Sequence, residues 1–313
     1  MKKQLIALMI AAGLVAGSVP GMANAAESGA KKTSYKKNYK KVARAKQHRR
    51  PVAVQEDPSR LVIQSSAVVV QDEETGAVLF EKNAGAVVPI ASITKLMTAM
   101  VVLDASQNLQ ETLIIDMGDV DTLKGTSSRL RLGTHLNREE MLRLALMSSE
   151  NRAASALSRY YPGGRSAFVA AMNAKSKMLG LSDTSFEDPT GLNAGNVSSA
   201  RDLVRLVGAA HSYPLIREFT TTAAYDVNVN GRSQTFRNTN PLVRAKTNDW
   251  EIGLSKTGYI NEAGKCLVMQ AWVNNKPTII VLLDSWGRLT RIGDANRIKR
   301  WIESNVAQRP RTS

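Results

Sequence analysis

The nine residues Ala91-Ser92-Ile93-Thr94-Lys95-Leu96-Met97-Thr98-Ala99 organise the reading of this chain. Ser92 and Lys95 head an apolar run that continues through Met100, Val101 and Leu103, which predicts a buried helix over about 92–105. Positions three apart share a helix face, so the hydroxyl and the amine stand together. Serine is a poor nucleophile at neutral pH, and a desolvated amine within hydrogen-bond reach can take its proton and ready it for acyl transfer. The spacing alone proves little. Ser28/Lys31 and Ser34/Lys37 have it too, and a serine opening a helix is also an ordinary N-cap.

Outward from this stretch, two further short motifs follow in order. Ser149-Glu150-Asn151 stands where one helical pattern ends and another begins, and Lys256-Thr257-Gly258 stands in a strand-like run, Leu254 to Ile260. The bland alternatives are a cap at Ser149 or Asn151 and an edge charge at Lys256. Glu150 reads as a solvent-facing or structural residue, because it alternates away from the two motif positions.

The elements around the motifs give a fold class. Ser66–Gln71 and Ala77–Glu81 flank the turn cluster Asp72-Glu73-Glu74-Thr75-Gly76, a β-hairpin signal. Asn137 with Glu140 makes a capping box that opens a helix, and further helices are expected over 153–160, 167–179 with Gly180 as stop, and 199–210. Asn230-Gly231 turns a small hairpin. Near the end, Leu254–Ile260, Leu267–Val273 and Thr278–Leu283 read as strands, with a closing helix from Thr290 to Ser304. Two early and three late strands close their apolar faces only if they share one sheet. The expectation is an α+β domain over 58–306 with a five-stranded antiparallel sheet, terminal helices and a mostly helical insertion.

With the three motifs placed, the chain resembles the penicillin-recognising active-site-serine enzymes. The stretches Pro89–Met100, Leu144–Ala153, Tyr161-Pro162-Gly163-Gly164 and Pro189-Thr190-Gly191-Leu192-Asn193 resemble the D-alanyl-D-alanine endopeptidases of the penicillin-binding protein 7/8 type, over roughly 60–305. The resemblance implies a periplasmic enzyme that cuts D-alanyl–meso-diaminopimelate cross-bridges between peptidoglycan stems and is acylated by β-lactams. It implies Ser92 as nucleophile, Lys95 as base with its pKa lowered by burial and by Lys256, and Ser149 as proton relay. Asn151 is then the ligand of the substrate amide, and Lys256 and Thr257 hold a carboxylate or its equivalent. Gly258 lets backbone pass close, and the N–H groups of Ser92 and Tyr259 form an oxyanion hole. The glutamate motif by which class A β-lactamases activate deacylating water is missing: Glu187 precedes Leu192-Asn193 at the wrong spacing, so penicillin should leave slowly.

Two other functions fit the same residues. One is a D,D-carboxypeptidase, against which stands the short stretch of about 55 residues after Gly258; the other is a non-catalytic peptidoglycan-binding scaffold, against which stands the intact set of motifs. Arg288 and Arg291 offer carboxylate clamps, with solvated surface charge as the plainer reading.

The termini and composition bound the rest. Lys2 and Lys3, the apolar run Leu5–Val19 and Ala23-Asn24-Ala25 read as a signal peptide over 1–25, hence export. The net charge of +15 is concentrated in a tail, 26–57, where residues 27–50 carry ten Lys or Arg against Glu27. Such a segment cannot bury a core; Lys31 to Arg50 suit an anionic membrane or wall surface, or a plain linker. Nucleic acid is no partner for an exported chain. The lone Cys266 lies in an apolar run and reads as an inert buried thiol. His48, His135 and His211 have no metal-ligand spacing, and no metal or cofactor is expected.

Overall fold

The computed structural model describes residues 61–245 and 249–307. The expected signal peptide, the basic tail and the residues from 308 onward lie outside them. A five-stranded antiparallel sheet has the order Val78–Lys82, Ala67–Asp72, Lys276–Ser285, Gly264–Val273, Glu251–Ile260, so early and late strands meet where Val69 faces Val281. The side-chain period of two divides the sheet cleanly. Val69, Val268 and Val281 join the large core under the helices, and Val68, Val70, Leu267, Met269 and Ile280 meet Ala295, Ile298 and Ile302 of the closing helix, Thr290–Ala307.

The turns follow from their residues. Asp72 Oδ1 accepts from the N–H groups of Glu74 and Thr75 at 3.1 and 2.9 Å, and Gly76 takes φ +72°, closing the first hairpin. Asn274 and Asn275, at φ +52° and +59°, make the two-residue turn between the last strands, a conformation asparagine tolerates and most residues do not. Each late strand starts two or three residues before its apolar run, because ladder pairing extends into flanking polar residues.

Between the two sets of strands lie the helices. In Thr94–Asp104 every residue from Thr94 to Val102 is buried, as expected of a helix apolar on all faces. The Asn137/Glu140 capping box is present, with Glu140 N–H to Asn137 Oδ1 at 2.7 Å and Asn137 N–H to Glu140 Oε2 at 3.0 Å, and opens Arg138–Met147. The next helix begins at Asn151, two residues before its expected start, and runs to Arg159. Gly164–Met178 begins three residues before its expected start, Ala200–His211 and the Asn230-Gly231 hairpin stand within a residue of expectation, and the helix Pro214–Thr221, with proline in its first turn, has no counterpart in the sequence reading.

Cys266 is buried, and burial pushes its thiol up to about 11. Thiolate-specific reagents are expected to leave the native protein unlabelled and to modify one thiol after urea unfolding; labelling at the unfolded-chain rate under native conditions refutes this placement.

Candidate functional site

The three motifs converge where the front end of the central helix meets the edge strand Glu251–Ile260. Ser92 sits in a 3₁₀ turn, Ala91–Ile93, that leads into the helix, not in the helix itself. Its side chain caps nothing. Ala91 just before it has φ +47°, a left-handed conformation unusual for a residue with a Cβ, which redirects the chain at Ser92.

Two glycines allow backbone to crowd this turn. A Cβ on Gly258 would lie 2.9 Å from Ile90 O and 3.1 Å from Ser92 N, so the edge strand passes directly beside the Ser92 amide. A Cβ on Gly191 would lie 2.0 Å from Ala91 O from the other side.

Lys95 is fully buried, and its Nζ donates to Ser92 Oγ at 2.9 Å, Asn151 Oδ1 at 2.7 Å and Thr190 O at 2.6 Å. Burial drives its pKa down to about 7, against the opposing pull of the Asp188 and Glu150 carboxylates. Lys256 is not the cause of that shift. The repulsion is felt at Lys256, whose proton affinity is lowered well below the usual lysine value by burial first, then by Lys95 and Arg291. Its Nζ donates to Ser149 Oγ at 2.9 Å and Thr257 O at 3.1 Å. Lys95, Ser92 Oγ and Asn151 thus form one hydrogen-bonded group, and Lys256 with Ser149 Oγ forms a second, near enough that the charge of Lys95 is felt at Lys256. Each group pairs an amine with a serine hydroxyl, the arrangement in which a neutral amine can accept the hydroxyl proton.

Ser149 and Asn151 do not cap the helix that follows; its N-cap position is Glu150, with no side-chain cap bond. Ser149 is instead held at φ +61°, a strain of order 1–3 kcal/mol for a non-glycine residue that aims its hydroxyl at Lys256. Asn151 Nδ2 donates to Thr126 Oγ1 at 3.1 Å, leaving its amide between Lys95 and the 121–126 loop. Glu150 is buried rather than solvent-facing and accepts from Ser128 Oγ at 2.6 Å. Thr257 Oγ1 donates to Thr239 at 2.7 Å. Tyr259 has an exposed ring against Lys265, and its hydroxyl donates to Asn261. A cavity of about 120 Å³ opens beside Asn151, between Asp121–Leu123 and Pro189-Thr190.

Several residues of the site escaped the sequence reading. Asp188 accepts from Gly191 N–H at 2.9 Å and Asn196 Nδ2 at 2.8 Å, and Thr190 Oγ1 also donates to it. Asn196 Nδ2 also reaches Thr94 Oγ1 at 3.0 Å, and Thr98 Oγ1 donates to Pro189 O at 2.6 Å. The loop is therefore bolted to the helix that carries Lys95. In the sequence Pro189–Asn193 carries only a family likeness, and its polar run Asp-Pro-Thr-Gly is the local signal of a structured loop. Glu187 beside it is exposed and stands over Gly195. Arg291 is neither a carboxylate clamp nor solvated surface: largely buried, it donates to Gly258 O at 2.8 Å and Cys266 O at 3.1 Å, tying the closing helix to the motif strand. Arg288 is exposed. Among the described residues no cluster of His, Cys, Asp and Glu has the arrangement of a metal site, and no helix is long and apolar enough to cross a membrane.

Comparison with known proteins places this arrangement. Residues 52–286 match the model of a family described as D-alanyl-D-alanine carboxypeptidase, peptidase family S11. The chain is 49% identical over 249 residues to a D-alanyl-D-alanine endopeptidase of Pseudomonas aeruginosa, covering 79% of this chain and 80% of that one. It is 48% identical over 244 residues to the Escherichia coli D-alanyl-D-alanine endopeptidase, at 77% and 78% coverage. A Bacillus subtilis D-alanyl-D-alanine carboxypeptidase is 31% identical over 233 residues. The crystal structure of the Streptomyces K15 DD-transpeptidase superposes with a TM-score of 0.71 at 29% identity, covering 78% of this chain and 98% of that one. With a sheet and helical insertion in the D,D-peptidase arrangement and a family match across three quarters of its length, the chain belongs to the S11 family of serine D,D-peptidases.

Proposed function

We propose that this enzyme is a D,D-endopeptidase of the bacterial periplasm, which hydrolyses the D-alanyl–meso-diaminopimelate cross-links of peptidoglycan through an acyl-enzyme on Ser92. The observation that carries the chemistry is the buried Lys95 amine, 2.9 Å from Ser92 Oγ with a pKa near 7. The observation that favours the endopeptidase over the carboxypeptidase is identity of 49% and 48% to proteins named as the former, against 31% to one named as the latter.

Neutral Lys95 takes the Ser92 proton as Oγ bonds to the carbonyl carbon of the penultimate D-alanine. The oxyanion is held by the N–H groups of Ser92 and Tyr259, a contribution of about 3–4 kcal/mol per donor in comparable sites. The peptide C–N bond then breaks, and the proton that Lys95 took from Ser92 passes through the Ser149 hydroxyl to the leaving amine, which returns Lys95 to its neutral form. Asn151 and the edge strand align the peptide, and Lys256 with Thr257 binds a carboxylate on the leaving side; an arriving anion offsets the burial and repulsion that depress the Lys256 pKa. Water repeats the sequence on the ester, with Lys95 again as base.

Because the base is the neutral amine, acylation requires Lys95 deprotonated. Its rate is expected to rise with pH to a plateau through a midpoint of about 7, falling about tenfold per pH unit well below it. Stopped-flow acylation by penicillin from pH 5 to 9 measures this, and a flat profile across pH 5–8 removes Lys95 from the role of base. The substrate is tested by digesting purified sacculi and weighing the muropeptides. Loss of cross-linked dimers is expected, whereas removal of terminal D-alanine alone makes the enzyme a carboxypeptidase.

A further inference from the structure

Two exposed charges of opposite sign bridge two banks of the surface beside the site, the 121–126 loop that is hydrogen-bonded to Asn151 and the turn that follows the motif strand. Lys124 belongs to the loop that supplies Thr126 to Asn151, on the helical bank. Glu262 lies in the turn just beyond the motif strand, on the other bank, and Lys124 Nζ donates to its carboxylate across 138 positions of sequence. The loop is pre-organised. Asp121 accepts from the N–H groups of Leu123, Lys124 and Thr126 at 2.8, 3.0 and 2.8 Å, fixing the backbone from which Lys124 projects. The side chains of the pair remain 30% and 44% exposed, and solvent screens an ion pair this open, so it exchanges partners at little cost.

We propose that Lys124 and Glu262 are a subsite for an amino-acid zwitterion on the acyl-donor side of the substrate, Lys124 taking its carboxylate and Glu262 its ammonium group. The inference rests on the cross-linked stem as substrate. If Lys256 and Thr257 face the leaving side, the donor stem runs the other way along the strand, past Tyr259 toward Glu262. Strand residues advance about 3.3 Å each, which puts the pair on the order of 10 Å from the acyl carbon. In a diaminopimelate stem, the residue before the penultimate D-alanine carries a second amino-acid centre at the end of its side chain. One residue step plus that side chain spans about 10 Å as well. The zwitterion presents one anion and one cation together, so it can enter between Lys124 and Glu262 and leave both charges paired. A lysine in the same stem position lacks the carboxylate and satisfies only Glu262.

The test uses a penicillin whose 6-acyl chain ends in an α-amino acid, the δ-linked D-α-aminoadipoyl chain, and the same penicillin acetylated on that amine. Second-order rate constants for acylation of Ser92 are read by intact mass, so the readout does not depend on peptide hydrolysis. Wild-type enzyme is expected to react about five- to tenfold faster with the zwitterion than with its acetylated form at low salt, with the ratio shrinking as ionic strength rises. In the double variant K124A/E262A the two rates converge. Equal rates in the wild type, or a preference that survives in the double variant, overturn the subsite. Sacculus digestion by the same protein reports the substrate separately. Digestion without any zwitterion preference removes the subsite alone, and preference without digestion supports the subsite while removing the cross-link reading.

Discussion

Ser92→Ala is expected to take up no penicillin and to lose peptide hydrolysis by a factor on the order of 10⁶, the scale seen when a serine nucleophile is removed from an otherwise intact site. Intact-mass measurement after incubation with penicillin reads the first: one adduct on the wild-type chain, none on the variant. The wild-type adduct is expected to persist, because the carboxylates near the site are committed elsewhere. Asp188 is saturated by its own loop, Glu150 holds Ser128, and Glu187 is turned to solvent, so in the mechanism we propose Lys95 is the base for the deacylating water. The variant should fold as before. Ser92 caps no helix, and without it Lys95 keeps Asn151 and Thr190 as acceptors, so a stability change within about 0.5 kcal/mol is expected. Inactivity with an unchanged urea midpoint separates a lost nucleophile from a lost fold. An adduct on the alanine variant would transfer the nucleophile to another residue.

The parts of this molecule legible in the sequence are those whose causes are local. The short apolar runs of the late strands, the Asn137/Glu140 box and the Asn230-Gly231 turn each carry their reason within a few residues, and each gives the element expected of it. Boundaries were less legible. The helix after the second motif begins at Asn151 because Ser149 is held left-handed, and only its contact with Lys256, 107 positions away, accounts for that. The same limit hid the frame of the site. Asp188 and Asn196 look like ordinary loop residues until the fold brings them against Thr94 and Lys95, about 100 positions earlier. Arg291 misled for a related reason: a basic residue at a helix start reads as surface, and its two carbonyl acceptors lie on strands that pair only in the folded sheet. At Lys95 the expected lowering by burial holds, while the expected help from Lys256 does not: that repulsion falls on Lys256, and no sequence pattern shows which of two amines will yield.

The loop that frames the site gives the second large effect, from a residue without a side chain. Gly191 has φ +83°, and a Cβ there would stand 2.0 Å from Ala91 O, 2.3 Å from Ala91 C and 2.8 Å from Ser92 N. All three atoms are backbone, so no rotamer change relieves the overlap. Either the Pro189–Leu192 loop lifts or the Ala91–Ser92 peptide moves. The loop resists, because Asp188 holds Gly191 N–H, Asn196 holds Asp188, and Thr98 holds Pro189 O. Lifting it withdraws Thr190 O from Lys95, whereas moving the peptide displaces the Ser92 N–H from the oxyanion hole we propose for it. Gly191→Ala is therefore expected to cost about 2–4 kcal/mol in stability, from left-handed strain and overpacking together, and to slow acylation by about 10²- to 10³-fold. Gly76→Ala is the matched control. It has nearly the same φ, +72°, but nothing within 4 Å of its Cβ and no part in the site, so only the backbone strain of about 1 kcal/mol is expected, with acylation unchanged. Urea unfolding and stopped-flow acylation on the pair isolate what the close approach adds. If Gly191→Ala acylates as fast as Gly76→Ala, the loop is not seated against the nucleophile, and the account of how Lys95 and Ser92 are held together fails with it.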